Sequence, residues 1–231
     1  MKTIGLIGGM SWESTAVYYR LLNEIARERL GGLHSAQLLM WSFDFAEIEA
    51  LQAAGDWEGA TERMVGAAQA LERGGADCVV ICTNTMHKMA DAVSGSVSIP
   101  LIHIADGTGA AIRQTECRRP ILLATRYTME QDFYRKRLED VHNVKAVVPD
   151  EAGRDLVHRV IYEELCRGIV LPGSKAAYVD LVNRMQRTEG ADGVILGCTE
   201  ITLLLAPDDF TIPVFDTTLL HARAAFEFAA G

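Results

Sequence analysis

Residues 75–81 read Gly-Ala-Asp-Cys-Val-Val-Ile, and residues 190–196 read Gly-Ala-Asp-Gly-Val-Ile-Leu. The two blocks stand 115 residues apart, and other landmarks keep nearly the same offset. The apolar run at Ile4 has a counterpart at Ile121, and Ile99-Pro100 ahead of Asp106 has one at Ile212-Pro213 ahead of Asp216. Three landmarks in one order at near-constant spacing read as an internal duplication. Each block opens on a glycine and runs into the short apolar stretch of a buried parallel strand. Runs of that kind fall at 3–7, 36–41, 78–82, 120–124, 144–148 and 193–197. They alternate with stretches of helical period at 13–30, 57–73, 151–167 and 174–188, the first capped by Ser11 and ended by Gly31-Gly32. The alternation predicts an α/β fold of two similar halves, each a parallel sheet flanked by helices, related by a pseudo-two-fold with the active site between them. The expected N-terminal half covers 1–105, with a returning helix at 218–231, and the C-terminal half covers 106–217.

At 231 residues and 49% hydrophobic content, the chain can bury a substantial core. Its formal charge of −9 opposes a phosphate backbone, and its basic runs are as short as Arg118-Arg119 and Arg135-Lys136-Arg137, so no nucleic-acid partner is expected. The opening MKTIGLIGGMSWE lacks the apolar stretch of a signal peptide, and no segment approaches the ~18 apolar residues of a membrane span. No membrane partner is expected. Five cysteines, an odd number without CxxC spacing, read as reduced thiols of a cytoplasmic protein. Gly5, Gly8 and Gly9 form only part of a dinucleotide fingerprint, and the six histidines have no metal spacing. Neither a cofactor nor a metal is expected.

Parallel α/β sheets present their functional groups at the carboxyl ends of strands. After 78–82 comes Thr83-Asn84-Thr85-Met86-His87, and after 193–197 comes Cys198-Thr199-Glu200. Two such ends suit a reaction that needs groups on opposite faces of one carbon, as inversion of an α-stereocentre does. A helix amino terminus behind Cys198 would lower its thiol pKa from about 8.5 toward neutrality and make it a base. Asn84, Thr85 and Thr199 are placed to hold an α-carboxylate and the charge that develops on deprotonation. Met10 and Ser11 after the first strand, and Thr125 in the equivalent loop, would line the same cleft. Glu200 is assigned to the substrate ammonium, Gln52 to its side chain. His87 stands out because it opens the helix after Thr83.

These pairs, together with GLIGGMSWEST near the start, LLATRYTM at 122–129 and VFDTT at 214–218, resemble the aspartate/glutamate racemase superfamily over essentially the whole chain. The resemblance implies a duplicated α/β enzyme that racemises a small amino-acid substrate without pyridoxal phosphate, using two opposed cysteines, and it suggests a homodimer. The sequence departs from that pattern at the first cysteine. Where the family has Cys-Asn-Thr, this chain has Thr83-Asn84-Thr85, with Cys82 one place earlier. The gap-free repeat sets Thr83 against Cys198 and Cys82 against Gly197. Strand alternation agrees, because a slip of one residue exchanges the two faces. Thr83 is therefore expected in the site and Cys82 in the packing.

A threonine hydroxyl is too weak an acid to exist as an alkoxide near neutral pH. Cys198 is thus expected to take the α-proton while Thr83, with a water, orients or supplies the returning one. The family associates the second-half thiol with the L-substrate, so L-to-D conversion is expected to be the faster direction. Aspartate-selective relatives carry cations in stretches that here read Ser42-Phe43-Asp44-Phe45 and 162–167, the second falling on Cys166. A broad or neutral substrate is then as consistent as an acidic one, with Arg126 or Arg167 able to restore acidic specificity. Two other readings stay open: a one-thiol decarboxylase or isomerase of small carboxylic acids, and a non-catalytic amino-acid-binding protein.

Overall fold

The computed structural model describes residues 1–231 and divides them into two compact units, Met1–Ile104 with His221–Gly231, and Ala105–Leu220. The first unit is built from β1 (Ile4–Gly8), α1 (Trp12–Leu30), β2 (Leu38–Ser42), α2 (Phe45–Ala54), α3 (Trp57–Arg73), β3 (Cys78–Ile81), a 3₁₀ turn (Thr85–Met89), α4 (Ala90–Gly95) and β4 (Leu101–Ile102). Its strands form one parallel sheet in the order β2-β1-β3-β4. The second unit follows with α5 (Ile104–Arg113), β5 (Pro120–Leu123), α6 (Arg126–Glu130), α7 (Asp132–His142), α8 (Glu151–Glu163), a 3₁₀ turn (Leu165–Arg167), α9 (Pro172–Glu189), β6 (Gly193–Leu196), α10 (Ile201–Leu204), a 3₁₀ turn (Pro207–Asp209), β7 (Val214–Asp216) and the first turn of α11 (Thr217–Ala230), whose remainder from His221 belongs to the first unit. Its parallel sheet runs β5-β6-β7, with Val147 bridging Ile121 on the free edge of β5. The two sheets therefore share one strand order. No helix is long and apolar enough to cross a membrane.

The helices start and stop where side-chain chemistry dictates. Ser11 caps α1 by accepting from the Ser14 N–H, and Gly31 ends it at φ +75°. In α3, Ala60, Met64, Ala67, Ala68 and Leu71 are buried at helical spacing, and Asp56 caps the start through the Gly59 N–H at 2.9 Å. Strand alternation then sorts the first unit's core into two layers. Ile7, Val79 and Ile81 pack with α3 on one face, whereas Ile4, Leu6, Cys78, Val80 and Cys82 pack with Tyr18, Leu22 and Ile25 of α1. Ala222, Ala225, Phe226 and Ala229 of α11 close that second layer, and the Lys2 N–H donates to the Ala229 carbonyl at 2.9 Å.

Two expectations need correction. Residues 144–148 do not form a strand: only Val147 pairs, through the Leu122 N–H to its carbonyl and its own N–H to the Pro120 carbonyl. Pro149 has no N–H to extend the ladder, and Asp150 already caps α8 at the Gly153 N–H. The helix read over 151–167 ends at Glu163, then tightens into a 3₁₀ turn that Gly168 closes at φ +71°.

The repeated Gly-Ala-Asp block has a structural cause. Gly75 and Gly190 both adopt positive φ, +94° and +65°, a region that favours glycine. Asp77 accepts from the Thr3 N–H at 2.6 Å, and Asp192 accepts from the Arg118 and Arg119 N–H groups at 2.8 and 2.7 Å. In each unit the aspartate clips the entry of one central strand to the entry of its neighbour, which would otherwise leave backbone donors unpaired.

Candidate active site

In the first unit the connections after β1 and β3 leave in opposite directions, so the carboxyl ends of these strands bound a topological switch point. The loop after β1 carries Met10 and Ser11, both buried. The Gly9 N–H donates to Thr15 Oγ1 at 2.8 Å, and that hydroxyl donates to the Ser11 carbonyl at 3.0 Å, which fixes the turn. Gly9 has φ +82°, and a Cβ there would collide with the Phe43 backbone, so the chain approaches itself more closely than any side chain allows.

The loop after β3 carries Thr83, half-buried, then Asn84 and Thr85, both buried. Cys82 is fully enclosed in the α1 layer, and burial pushes its thiol pKa well up. The Thr83 backbone is held at both ends: its N–H donates to the Ile81 carbonyl at 2.9 Å, and its carbonyl accepts from His87 Nδ1 at 2.8 Å. Gln52 on α2 is buried and donates through Nε2 to Met86 Sδ at 3.1 Å, one residue beyond Thr85.

The second unit has the matching switch point at the ends of β5 and β6. Thr125, buried, opens α6 and lies 3.3 Å from the Thr128 hydroxyl. After β6 stand Cys198, half-buried, and Thr199 and Glu200, both buried. The Cys198 thiol donates to Glu200 Oε2 at 2.9 Å, and the Thr218 hydroxyl donates to that of Thr199 at 3.2 Å. Gly197 leaves no room for a side chain, since a Cβ would sit 2.8 Å from Leu122 Cδ1 and 2.9 Å from Ala124 Cβ.

The expected lowering of the Cys198 pKa is not found. Burial pushes it well above its ordinary range, and the Glu200 charge and nearby Cys166 add to the rise. The helix invoked to lower it is the single turn α10, whose N–H groups at Ile201, Thr202 and Leu203 are already bonded to the carbonyls of Cys198, Thr199 and Glu200. A short helix with its first donors engaged carries little field. The site therefore starts from a protonated thiol that hands its proton toward a carboxylate.

Three further features were not read from the sequence. Glu200, assigned to a substrate ammonium, is bonded to Cys198, and a carboxylate two residues beyond a cysteine in a tight turn was the available signal. Arg126 is ion-paired with Asp155, and its backbone N–H donates to His158 Nδ1 at 3.3 Å, while Arg167 is exposed. His87 bonds back to Thr83, four residues earlier, a helical reach its position could have signalled.

The sequence profile of the Asp/Glu/Hydantoin racemase family matches residues 7–225. A solved Yersinia pestis structure assigned to the Asp/Glu racemases is 50% identical and superposes with a TM-score of 0.93, covering 100% of both chains. An aspartate racemase homologue from Pyrococcus horikoshii is 37% identical, with a TM-score of 0.88 and 100% of both chains covered. The broad specificity amino-acid racemase RacX of Bacillus subtilis is 22% identical over 166 residues, 67% of this chain and 65% of that relative. With the strand-end motifs and the duplicated topology, this match makes the chain an enzyme of the Asp/Glu/Hydantoin racemase family.

Proposed function

We propose that the chain is an amino-acid racemase that works without pyridoxal phosphate, with Cys198 taking the α-proton of the L-enantiomer and Thr83, assisted by a water, returning one on the opposite face. The 2.9 Å contact between Cys198 Sγ and Glu200 Oε2 carries this reading. As substrate enters, the thiol gives its proton to Glu200. An ammonium within ~4–6 Å would lower the thiol pKa by roughly 1–3 units and so offset part of the rise that burial imposes. The thiolate then takes the Cα proton and leaves a carbanion, whose charge is stabilised through the carboxylate by the groups assigned to it, Asn84, Thr85, Thr199 and the Thr125 loop. The carbanion takes a proton from the Thr83 hydroxyl or its water, which solvent replaces, and Glu200 releases the proton it received to solvent, so that the site returns to a protonated Cys198 facing a carboxylate. Thr83 and Cys198 are joined in one reaction by their equivalent places in the repeat.

A neutral or mixed range of substrates is supported by Arg126, whose charge Asp155 already engages, and by the likeness to a broad specificity racemase. The Met10 and Ser11 turn and the buried Gln52 amide are assigned to the walls around the side chain. The test is to incubate the purified protein with a panel of L-amino acids in D₂O and resolve the enantiomers. Inverted product carrying α-deuterium supports the proposal, release of CO₂ from a malonate-type acid without inversion points to a one-thiol decarboxylase, and binding without exchange points to a non-catalytic protein.

A further inference from the structure

The loop that presents Thr83 is held by an imidazole. His87 is buried, its Nδ1 lies 2.8 Å from the Thr83 carbonyl oxygen, and its Nε2 lies 3.2 Å from the Ile104 backbone nitrogen. A carbonyl only accepts and a backbone N–H only donates, so His87 carries its proton on Nδ1 and leaves Nε2 bare. One ring thus ties the loop after β3 to Ile104, the second residue beyond β4. The Ile102 carbonyl accepts in turn from His221 Nε2 at 2.7 Å, and His221 Nδ1 accepts from the Tyr18 hydroxyl at 2.8 Å. The His87 ring packs edge-on against His103 and His221, with centroids 4.6 and 5.5 Å away.

We propose that His87 is the positioning residue for proton return: by fixing the Thr83 carbonyl it fixes the Thr83 backbone, and with it the direction of the hydroxyl. Threonine is β-branched, and its side-chain torsion is stiff once its backbone is set. The corresponding position of the second unit, 115 residues on, is Thr202, whose hydroxyl goes to the Thr199 carbonyl, while the Cys198 carbonyl takes the Ile201 N–H. The imidazole brace thus belongs to the half that has a hydroxyl in place of a thiol. A hydroxyl donates in one direction and a misplaced one donates to solvent, so this half has more to lose from a loose backbone.

The inference rests on the role proposed for Thr83, and the test separates the two. The readout is the ratio of α-hydrogen exchange to inversion in D₂O, using the fastest substrate from a panel of L-aspartate, L-glutamate and the neutral L-amino acids. Exchange at Cys198 needs one face only; inversion needs Thr83 as well. His87→Asn keeps a donor where Nδ1 stands and is expected within threefold of the wild-type ratio. His87→Gln places its amide farther along, cannot reach the Thr83 carbonyl in the same way, and is expected to raise the ratio tenfold or more. A structural defect would lower exchange and inversion together and leave the ratio unchanged, which overturns the inference, as does an equal ratio in the Asn and Gln variants. Thr83→Val with an unchanged ratio overturns the Thr83 reading itself. A raised ratio in Thr83→Val with none in His87→Gln overturns the role of His87 alone.

Discussion

The thiol of Cys198 donates to Glu200 Oε2 across 2.9 Å, so the cysteine that follows β6 faces a carboxylate able to take its proton. Glu200→Gln keeps the shape and removes that acceptor. A loss of kcat of about 10²-fold is expected, in the range of a single general base. KM should change less, and steady-state kinetics on the best amino acid will read both. An unchanged kcat would remove Glu200 from the proton path.

The same contact fixes how the thiol titrates. Burial is the first cause of its raised pKa and the Glu200 charge the second, so deleting the charge should lower the midpoint without returning it to the ordinary value. Iodoacetamide labelling of the Cys198 peptide against pH, followed by mass spectrometry, should show the Glu200→Gln curve displaced to lower pH than the wild type. A shift to higher pH would contradict the stated causes.

Thr83→Cys should install a second thiol. Enantiomers have equal free energies, so kcat/KM is bound to be equal in the two directions, and the asymmetry between Thr83 and Cys198 must appear in kcat with a compensating KM. The wild type is expected to have the larger kcat from L to D. The variant should raise the D-to-L kcat and bring the two together. Equal saturating rates in the wild type would sink the directional proposal.

Cys82→Ala and Gly197→Ala probe equivalent positions of the repeat with opposite errors. The first empties space in the α1 layer and should cost about 1–2 kcal/mol of stability with kcat nearly intact. The second forces a methyl to within 2.8 Å of Leu122 Cδ1 beside the reactive thiol, and should cost about 1–3 kcal/mol and lower kcat as well. Urea unfolding with parallel rate measurements separates the two; loss of turnover in Cys82→Ala at full stability would return Cys82 to the chemistry.

Buried thiols also set an alkaline limit. Burial raises Cys78 to about 11 and Cys82 further, whereas an unfolded thiol ionises near pH ~8.5. Groups raised in the folded state contribute stability that is complete below the unfolded pKa and is lost as pH rises toward the folded one. Between about pH 8.5 and 11 each such thiol should lower unfolding free energy by about 1.4 kcal/mol per pH unit. Urea midpoints from pH 7 to 10 will test the sign, and Cys78→Ala should flatten the fall.

The parts of the fold that were legible are those whose cause is local. The bounds of α3 follow from Asp56 and from the spacing of Ala60, Met64 and Ala67, and the duplication shows because Gly75 and Gly190 need positive φ while Asp77 and Asp192 must satisfy strand-entry N–H groups. Apolar residues at 144–148 looked like the rest, but a single bridge at Val147 depends on where Pro149 and α8 stand, which periodicity does not encode. The packing of Cys82 was readable from alternation, since 78, 80 and 82 share one face. The charge state of Cys198 was not readable, because enclosure and the turn that brings Glu200 back are properties of the folded loop. The pairing of Arg126 with Asp155 spans 29 residues and is likewise a product of packing.

The first unit is assembled from two stretches, 1–104 and 221–231, with Ala222, Ala225, Phe226 and Ala229 completing its α1 layer. Along the chain the whole second unit lies between these pieces. Residues 105–220 are contiguous, so the second unit closes its core from one stretch, whereas the first must bring its two pieces together across that intervening length. Until residues 221–231 dock, the apolar layer beneath α11 stays uncovered. Deleting residues 221–231 therefore leaves the unit that bears Thr83 unfinished, with an apolar face open to chaperones and to aggregation.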